Sequence, residues 1–252
     1  TARSGPVRRL PSAPYTTAHQ FHEILVLFSH LAAVTSRVSF VTSVLVLPQR
    51  QTALAAKQIA SIDLLSGGRV RVAVGVGWNA AEYEGLGVEF ADRTALLEEQ
   101  IDVMRLLWSQ PVVDFDGRFH QLRGLGINPL PAHPIPIMIG SGASDAVLRR
   151  VVRKADGWMP LLIPGLDPVD IRTGVAKLRR IAEEADRDPA TLPIHGRVYI
   201  GPGWQAAVEQ ALELGFRDCT IGFNRLAQPG APHAEHLAAI IGAKAEIDAI
   251  VG

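Results

Sequence analysis

The sequence predicts an α/β fold of parallel strands flanked by helices, and three observations point to it. Apolar runs rich in β-branched residues recur along the 252-residue chain, amphipathic segments alternate with them, and several runs end in glycine-bearing turns where a helix begins. Strict alternation of this kind has two solutions, a closed (β/α)8 barrel or an open doubly wound sheet. Six strand segments are legible, which suits the open sheet, whereas eight would suit the barrel. A helix precedes the first strand, so the chain enters the pattern mid-fold. The expectation is a single barrel domain over residues 1–252 whose first one or two strands lie before Thr1.

The elements follow in order. Thr1 to Thr17 carries prolines, arginines and hydroxyl residues with neither period and reads as a loop. From Phe21 to Val34 the apolar positions Ile24, Leu25, Leu27, Phe28, Leu31 and Ala32 recur at three and four, the helical pattern. Val38 to Leu47 is almost continuously apolar, as a strand covered on both faces would be, and Pro48 closes it. Thr52 to Leu65 reads as a helix stopped by Gly67-Gly68, and Arg69 to Val76 as the second strand. Asp92 is placed to cap a helix running to Trp108. Residues 111–134 form an irregular insertion containing DFDGRFHQL, which suits a hairpin turning at Asp116-Gly117.

Strand and helix then alternate: Ile137 to Gly140, helix Ala143 to Lys154, Gly157 to Leu162, helix Pro168 to Asp186, Ile194 to Ile200, helix Gln205 to Leu214, Cys219 to Phe223, and a helix from His233.

Composition narrows the function. Lys plus Arg and Asp plus Glu both total 25, which removes any electrostatic case for nucleic acid or an anionic membrane surface. No stretch reaches the roughly 18 apolar residues of a membrane span. The single Cys219 permits no internal disulfide, and a buried structural thiol is expected. The partner implied is a small molecule, and the location cytoplasmic. The eight histidines show no metal-ligand spacing, so no metal is expected. His19 and His22, before the first helix, are read as solvated loop residues rather than catalytic ones.

Two turns carry candidate chemistry. Gly75-Val76-Gly77-Trp78-Asn79-Ala80 follows a strand and formally satisfies the dinucleotide pattern G-x-G-x-x-A. Glycines at a strand end also serve a tight turn. Context argues against the nicotinamide reading, because the unit is not the first strand of an evident dinucleotide domain and no clean strand end with an acidic residue appears about 20 residues on. Gly140-Ser141-Gly142-Ala143-Ser144 follows a strand and opens a helix, where free N–H groups and a hydroxyl suit a phosphate, although an ordinary Ser cap gives the same letters. In a barrel the ends of all strands share one face, so Thr42-Ser43-Val44 and both turns could converge on one ligand with a phosphate tail.

Three segments, TSRVSFVTSVLVLP, AKQIASIDLLSGGRVRVAVGVGWNAAEYEGLGVEFADR and IPIMIGSGASDAVLRRVVRKADGW, resemble the luciferase-like monooxygenase family, above all its F420-dependent branch. The resemblance implies a (β/α)8 barrel of that type, a homodimer, and a non-prolyl cis peptide at Ser43-Val44 in a strand bulge beneath the deazaisoalloxazine ring. It further implies cofactor contacts from Thr42, Ser43, Val44, Val76, Gly77 and Trp78 on the ring side and from Gly140, Ser141, Gly142 and Ala143 on the phosphate. The activity implied is hydride transfer between coenzyme F420 and a small organic substrate. Two alternatives stand beside it, an FMN-dependent two-component monooxygenase of the same fold and a non-catalytic cofactor-binding or structural member. The family's proton donor near the second strand would precede Thr1, so no catalytic residue is assigned.

Overall fold

The computed structural model describes residues 21–162, 171–222 and 233–251. These fall into two compact units, the first described from His22 to Ile137 and the second taking up at Met138. The loop expected at Thr1 to Thr17, His19, Phe223 and the start of the helix expected at Pro168 lie outside the described residues.

The first unit opens with α1 (Ile24–Val34), which buries Leu25, Phe28 and Ala32 and is capped by the Glu23 carboxylate accepting from the Val26 N–H. The expected strand Val38 to Leu47 is in fact two short strands, β1 (Phe40–Val41) and β2 (Leu45–Val46), followed by a 3-10 turn over Leu47–Gln49. Both run parallel to β3 (Val70–Gly75). Val41 pairs with Arg71 and Leu45 with Val74, so four steps along one chain face three along the other. That extra residue is a bulge at Thr42 to Val44. Continuous β-branched letters conceal such an interruption, because each half still reads as strand.

Between β2 and β3 runs α2 (Thr52–Ser66), and Gly67 and Gly68 both take positive φ after it, as expected. A short α3 (Ala80–Gly85) leads to α4 (Arg93–Ser109). Asp92 occupies the N-cap position of α4 but caps nothing; its carboxylate instead accepts from Arg118 at 2.6 Å. The core here is α4 against α2, with Ile59, Leu97, Ile101 and Met104 fully buried and the Trp108 indole N–H donating to the Ala56 carbonyl at 3.0 Å.

The insertion holds an antiparallel hairpin, β4 (Val113–Asp116) and β5 (Gln121–Leu125). Asp116 pairs with Gln121, so the connection is Gly117 to His120 rather than a turn centred on Asp116-Gly117.

The second unit takes up within β6 (Ile137–Gly140), which pairs in parallel with β7 (Gly157–Met159) on either side of α5 (Asp145–Lys154). Helix α5 begins two residues later than the letters suggested. Leu148, Val151 and Val152 face inward, while Arg153 and Lys154 sit at its negative C-terminal end. Pro160 separates β7 from β8 (Leu161–Leu162). After α6 (Ile171–Glu184) come β9 (His195–Tyr199), α7 (Trp204–Glu213), β10 (Asp218–Gly222) and α8 (His233–Val251). Strands β8, β9 and β10 form a parallel sheet. His195, buried, stitches its edge by pairing Nδ1 with Asp218 and Nε2 with Thr220 Oγ1 at 2.7 Å.

Candidate cofactor site

In the first unit the candidate residues stand at the ends of β1 and β3. Thr42 is 1% exposed, and its hydroxyl donates to the Ala73 carbonyl and accepts from the Ala73 N–H, both at 2.8 Å. It thus replaces the ladder bonds that the bulge interrupts, and both capacities of its hydroxyl are taken up by backbone. Ser43 is exposed and Val44 half-buried, and the peptide between them is cis, as the resemblance implied.

The β3 turn is fixed from two sides. Gly77 has φ +63°, and a Cβ there would lie 2.8 Å from Val46 Cγ1, so only glycine lets the turn rest on β2. Tyr83, fully buried on α3, donates from its hydroxyl to the Val76 carbonyl at 2.5 Å and packs edge-on to Phe90. Asn79 caps α3 through the Ala81 N–H at 3.2 Å and donates to Glu82 at 2.9 Å. Asn79 and Tyr83 are therefore struts for the turn. Trp78 remains 41% exposed at the strand end, where a broad apolar face suits a flat conjugated ring.

The second unit carries the other turn. The Ser141 N–H donates to the Met159 carbonyl at 3.2 Å, continuing the β6–β7 ladder by one residue. Ala143 is buried and Gly142 exposed, with open space where a Cβ would point. Ser144 holds the N-cap position of α5, yet its side chain makes no capping bond. The first-turn N–H groups of α5 and the Ser141 hydroxyl are thus a donor set that fits an anionic oxygen such as a phosphate. The Asp145 carboxylate in that first turn is engaged by Lys177 at 3.2 Å and Arg180 at 3.5 Å, and the Lys177 hydrogen bond holds its pKa below the usual carboxylate range. Its charge is thereby directed toward α6.

A family model for luciferase-like monooxygenases matches residues 12–248.

The chain belongs to that family.

The luciferase-like (β/α) barrel class expected from the resemblance is therefore its fold class. Family members are monooxygenases and oxidoreductases. An uncharacterised protein of Mycobacterium tuberculosis is 38% identical over 204 residues, covering 81% of this chain and 68% of its own. The pyrimidine monooxygenase RutA of Allorhizobium ampelinum is 33% identical over 172 residues, 66% of this chain and 46% of the relative. Among solved structures, an F420-dependent secondary alcohol dehydrogenase bound to an F420-acetone adduct superposes with a TM-score of 0.70 at 18% identity, covering 84% of this chain and 81% of that one. No helix among the described residues is long and apolar enough to cross a membrane, and no cluster of His, Cys, Asp or Glu among them is arranged to hold a metal.

Sequence reasoning missed several buried polar groups that brace these elements. Trp158, fully buried on β7, donates its indole N–H to Ser141 Oγ at 3.2 Å. Glu99 on α4 anchors the hairpin, and Thr52, His120 and Gln100 form a linked chain, with Thr52 Oγ1 2.5 Å from His120 Nε2 and accepting from Gln100 at 3.1 Å. One letter did carry a signal: Gly174, in the middle of α6, marks a close approach, since a Cβ there would sit 3.0 Å from both Ala143 Cβ and Trp158 Cη2.

Proposed function

We propose that the chain is an F420-dependent oxidoreductase that transfers hydride between coenzyme F420 and a small organic substrate. The observation that supports this reading most directly is the β3 turn, where Gly77 seats the backbone against Val46 and Trp78 stays 41% exposed just past the strand end. Such a turn suits a flat deazaflavin ring, with Ser43, Val44, Val76, Gly77 and Trp78 beside it and Thr42 holding the bulge from behind. Gly140, Ser141, Gly142 and Ala143, with the uncapped start of α5, would hold the phosphate. Hydride transfer is the chemistry such a cofactor supplies when bound. The protein's part is to orient the ring, keep water from its face with apolar side chains, and neutralise the phosphate with N–H and O–H donors. The F420-dependent secondary alcohol dehydrogenase among the structural neighbours lends the reading support.

A second reading, an FMN-dependent monooxygenase, is favoured by the identity with pyrimidine monooxygenase RutA. Fluorescence titration with F420 and with FMN separates the two. Tight F420 binding with weak FMN binding is expected; the opposite preference moves the chain to the flavin monooxygenases, and binding of neither removes both readings.

A further inference from the structure

We propose that Trp158 is the positioning residue that fixes Ser141 as a hydrogen-bond donor, so that the 140–143 turn selects cofactors carrying a phosphate. This deepens the cofactor reading above and rests on it.

The argument starts from the indole. Its N–H donates and cannot accept, and it meets Ser141 Oγ at 3.2 Å. A hydroxyl that accepts from an indole still has its own proton to place, and among the described residues no acceptor takes it. The Ser141 backbone N–H is already committed to the Met159 carbonyl. What Ser141 offers to a ligand is therefore one O–H, aimed as a donor. The matching ligand atom is an acceptor, and beside the uncapped N-terminus of α5 an anionic oxygen is favoured over a neutral one.

The indole is held in place. Trp158 is fully buried and pairs with Ile139 across the β6–β7 ladder, one residue before the turn. On the far side α6 presses on it at Gly174, where even a methyl group would lie 3.0 Å from the indole and from Ala143. Full burial and the close approach of α6 thus hold the indole where its N–H meets Ser141. The same contact couples Ala143, at the base of the turn, to the ring that orients Ser141.

The test compares cofactors with and without the phosphate. Dissociation constants for FMN against riboflavin, and for F420 against its phosphate-free deazaflavin core, are measured by fluorescence quenching on wild type, Ser141→Ala and Trp158→Phe. Each substitution is expected to weaken the phosphorylated form by about tenfold, the effect of roughly one charge-assisted hydrogen bond, and to leave the phosphate-free form within about twofold. The double variant is expected to bind no more weakly than Ser141→Ala alone, because the two act through one bond. If Trp158→Phe does not fold, benzothienylalanine at position 158 removes the N–H while keeping the ring's shape, with the same expectation. Equal losses for both forms of the cofactor overturn the inference and leave the cofactor reading standing. Binding of none of the four compounds by wild type overturns both.

Discussion

Glu99 holds His120 twice, accepting from its backbone N–H at 2.7 Å and from its ring Nδ1 at 2.8 Å. The same carboxylate accepts from the N–H groups of Phe119 at 2.8 Å and Arg118 at 2.9 Å. One side chain on α4 thus satisfies three consecutive donors of the hairpin connection, and its neighbour in the chain, Gln100, reaches Thr52 on the far side of the same His120.

Partial burial pushes the Glu99 carboxyl up, but the hydrogen bonds from His120 and from the three backbone N–H groups outweigh it and hold the group below its ordinary 4.5. A depressed native pKa contributes stability that is complete above the unfolded value and is lost as pH falls through the native one. Glu99→Gln is therefore expected to cost about 2 kcal/mol at pH 7, by urea unfolding. It should also flatten the loss of stability that the wild type shows on acidification below pH 4.5. An acid limb unchanged by the substitution would refute the assignment.

Gly77→Ala places a methyl group 2.8 Å from Val46 Cγ1 at φ +63°. The left-handed backbone and the contact together are expected to cost about 2 to 3 kcal/mol, of which about 1 to 2 is backbone. Val46→Ala in the same chain should recover the contact part alone, so a double-mutant cycle in chemical denaturation should show coupling between positions 46 and 77. Strict additivity would count against the packing described.

Arg69 closes the C-terminal end of α1. Its guanidinium donates to the carbonyls of Ala32, Thr35, Val38 and Ser66 and to Thr35 Oγ1, and it lies 5.0 Å from the Phe40 ring centroid. A lysine reproduces the charge but not the planar fork. Arg69→Lys is expected to lower stability by about 2 kcal/mol, read from the urea midpoint, with α1 becoming the fastest-exchanging helix of the first unit by hydrogen exchange.

Burial pushes the Cys219 thiol up to about 11. The thiolate is the reactive form, so iodoacetamide at pH 8 is expected to label native protein slowly and denatured protein rapidly. The raised native pKa contributes stability that is present below the ordinary thiol range and lost as pH rises toward 11. Cys219→Ala should remove that alkaline loss.

The regular part of this fold was legible because its letters are redundant. Helix α2 is announced by its small inward residues and by Gly67-Gly68, and β6 by an apolar run, while β9 and β10 stand out by their place in the strand and helix alternation, so each of these elements fell within a few residues of its position. The break at Pro160 and the split of the first strand were not legible as such. An apolar run states what is buried and not whether its pairing is continuous, so the bulge at Ser43-Val44 came from the family resemblance alone, and the register against β3 shows the extra residue. The two turns were found because glycine beside a strand end is rare enough to draw notice. Thr42 was picked out as a cofactor contact and not as the brace of the bulge, and Trp158 and Tyr83 were not read as supports, because a buried polar tip on a core residue leaves no pattern in one sequence.

The bulge at Thr42 to Val44 has a consequence for how this segment can vary. Burial falls on even-numbered positions up to it, at Phe40 and Thr42, and on the odd-numbered Leu45 in the strand after it. The extra residue acts as a parity switch between two stretches whose inward sides are out of step. Removing any one residue here would swing either Phe40 or Leu45 out of the core, and adding two would leave both in step. The segment therefore tolerates change in its letters, but its length is constrained to an odd offset.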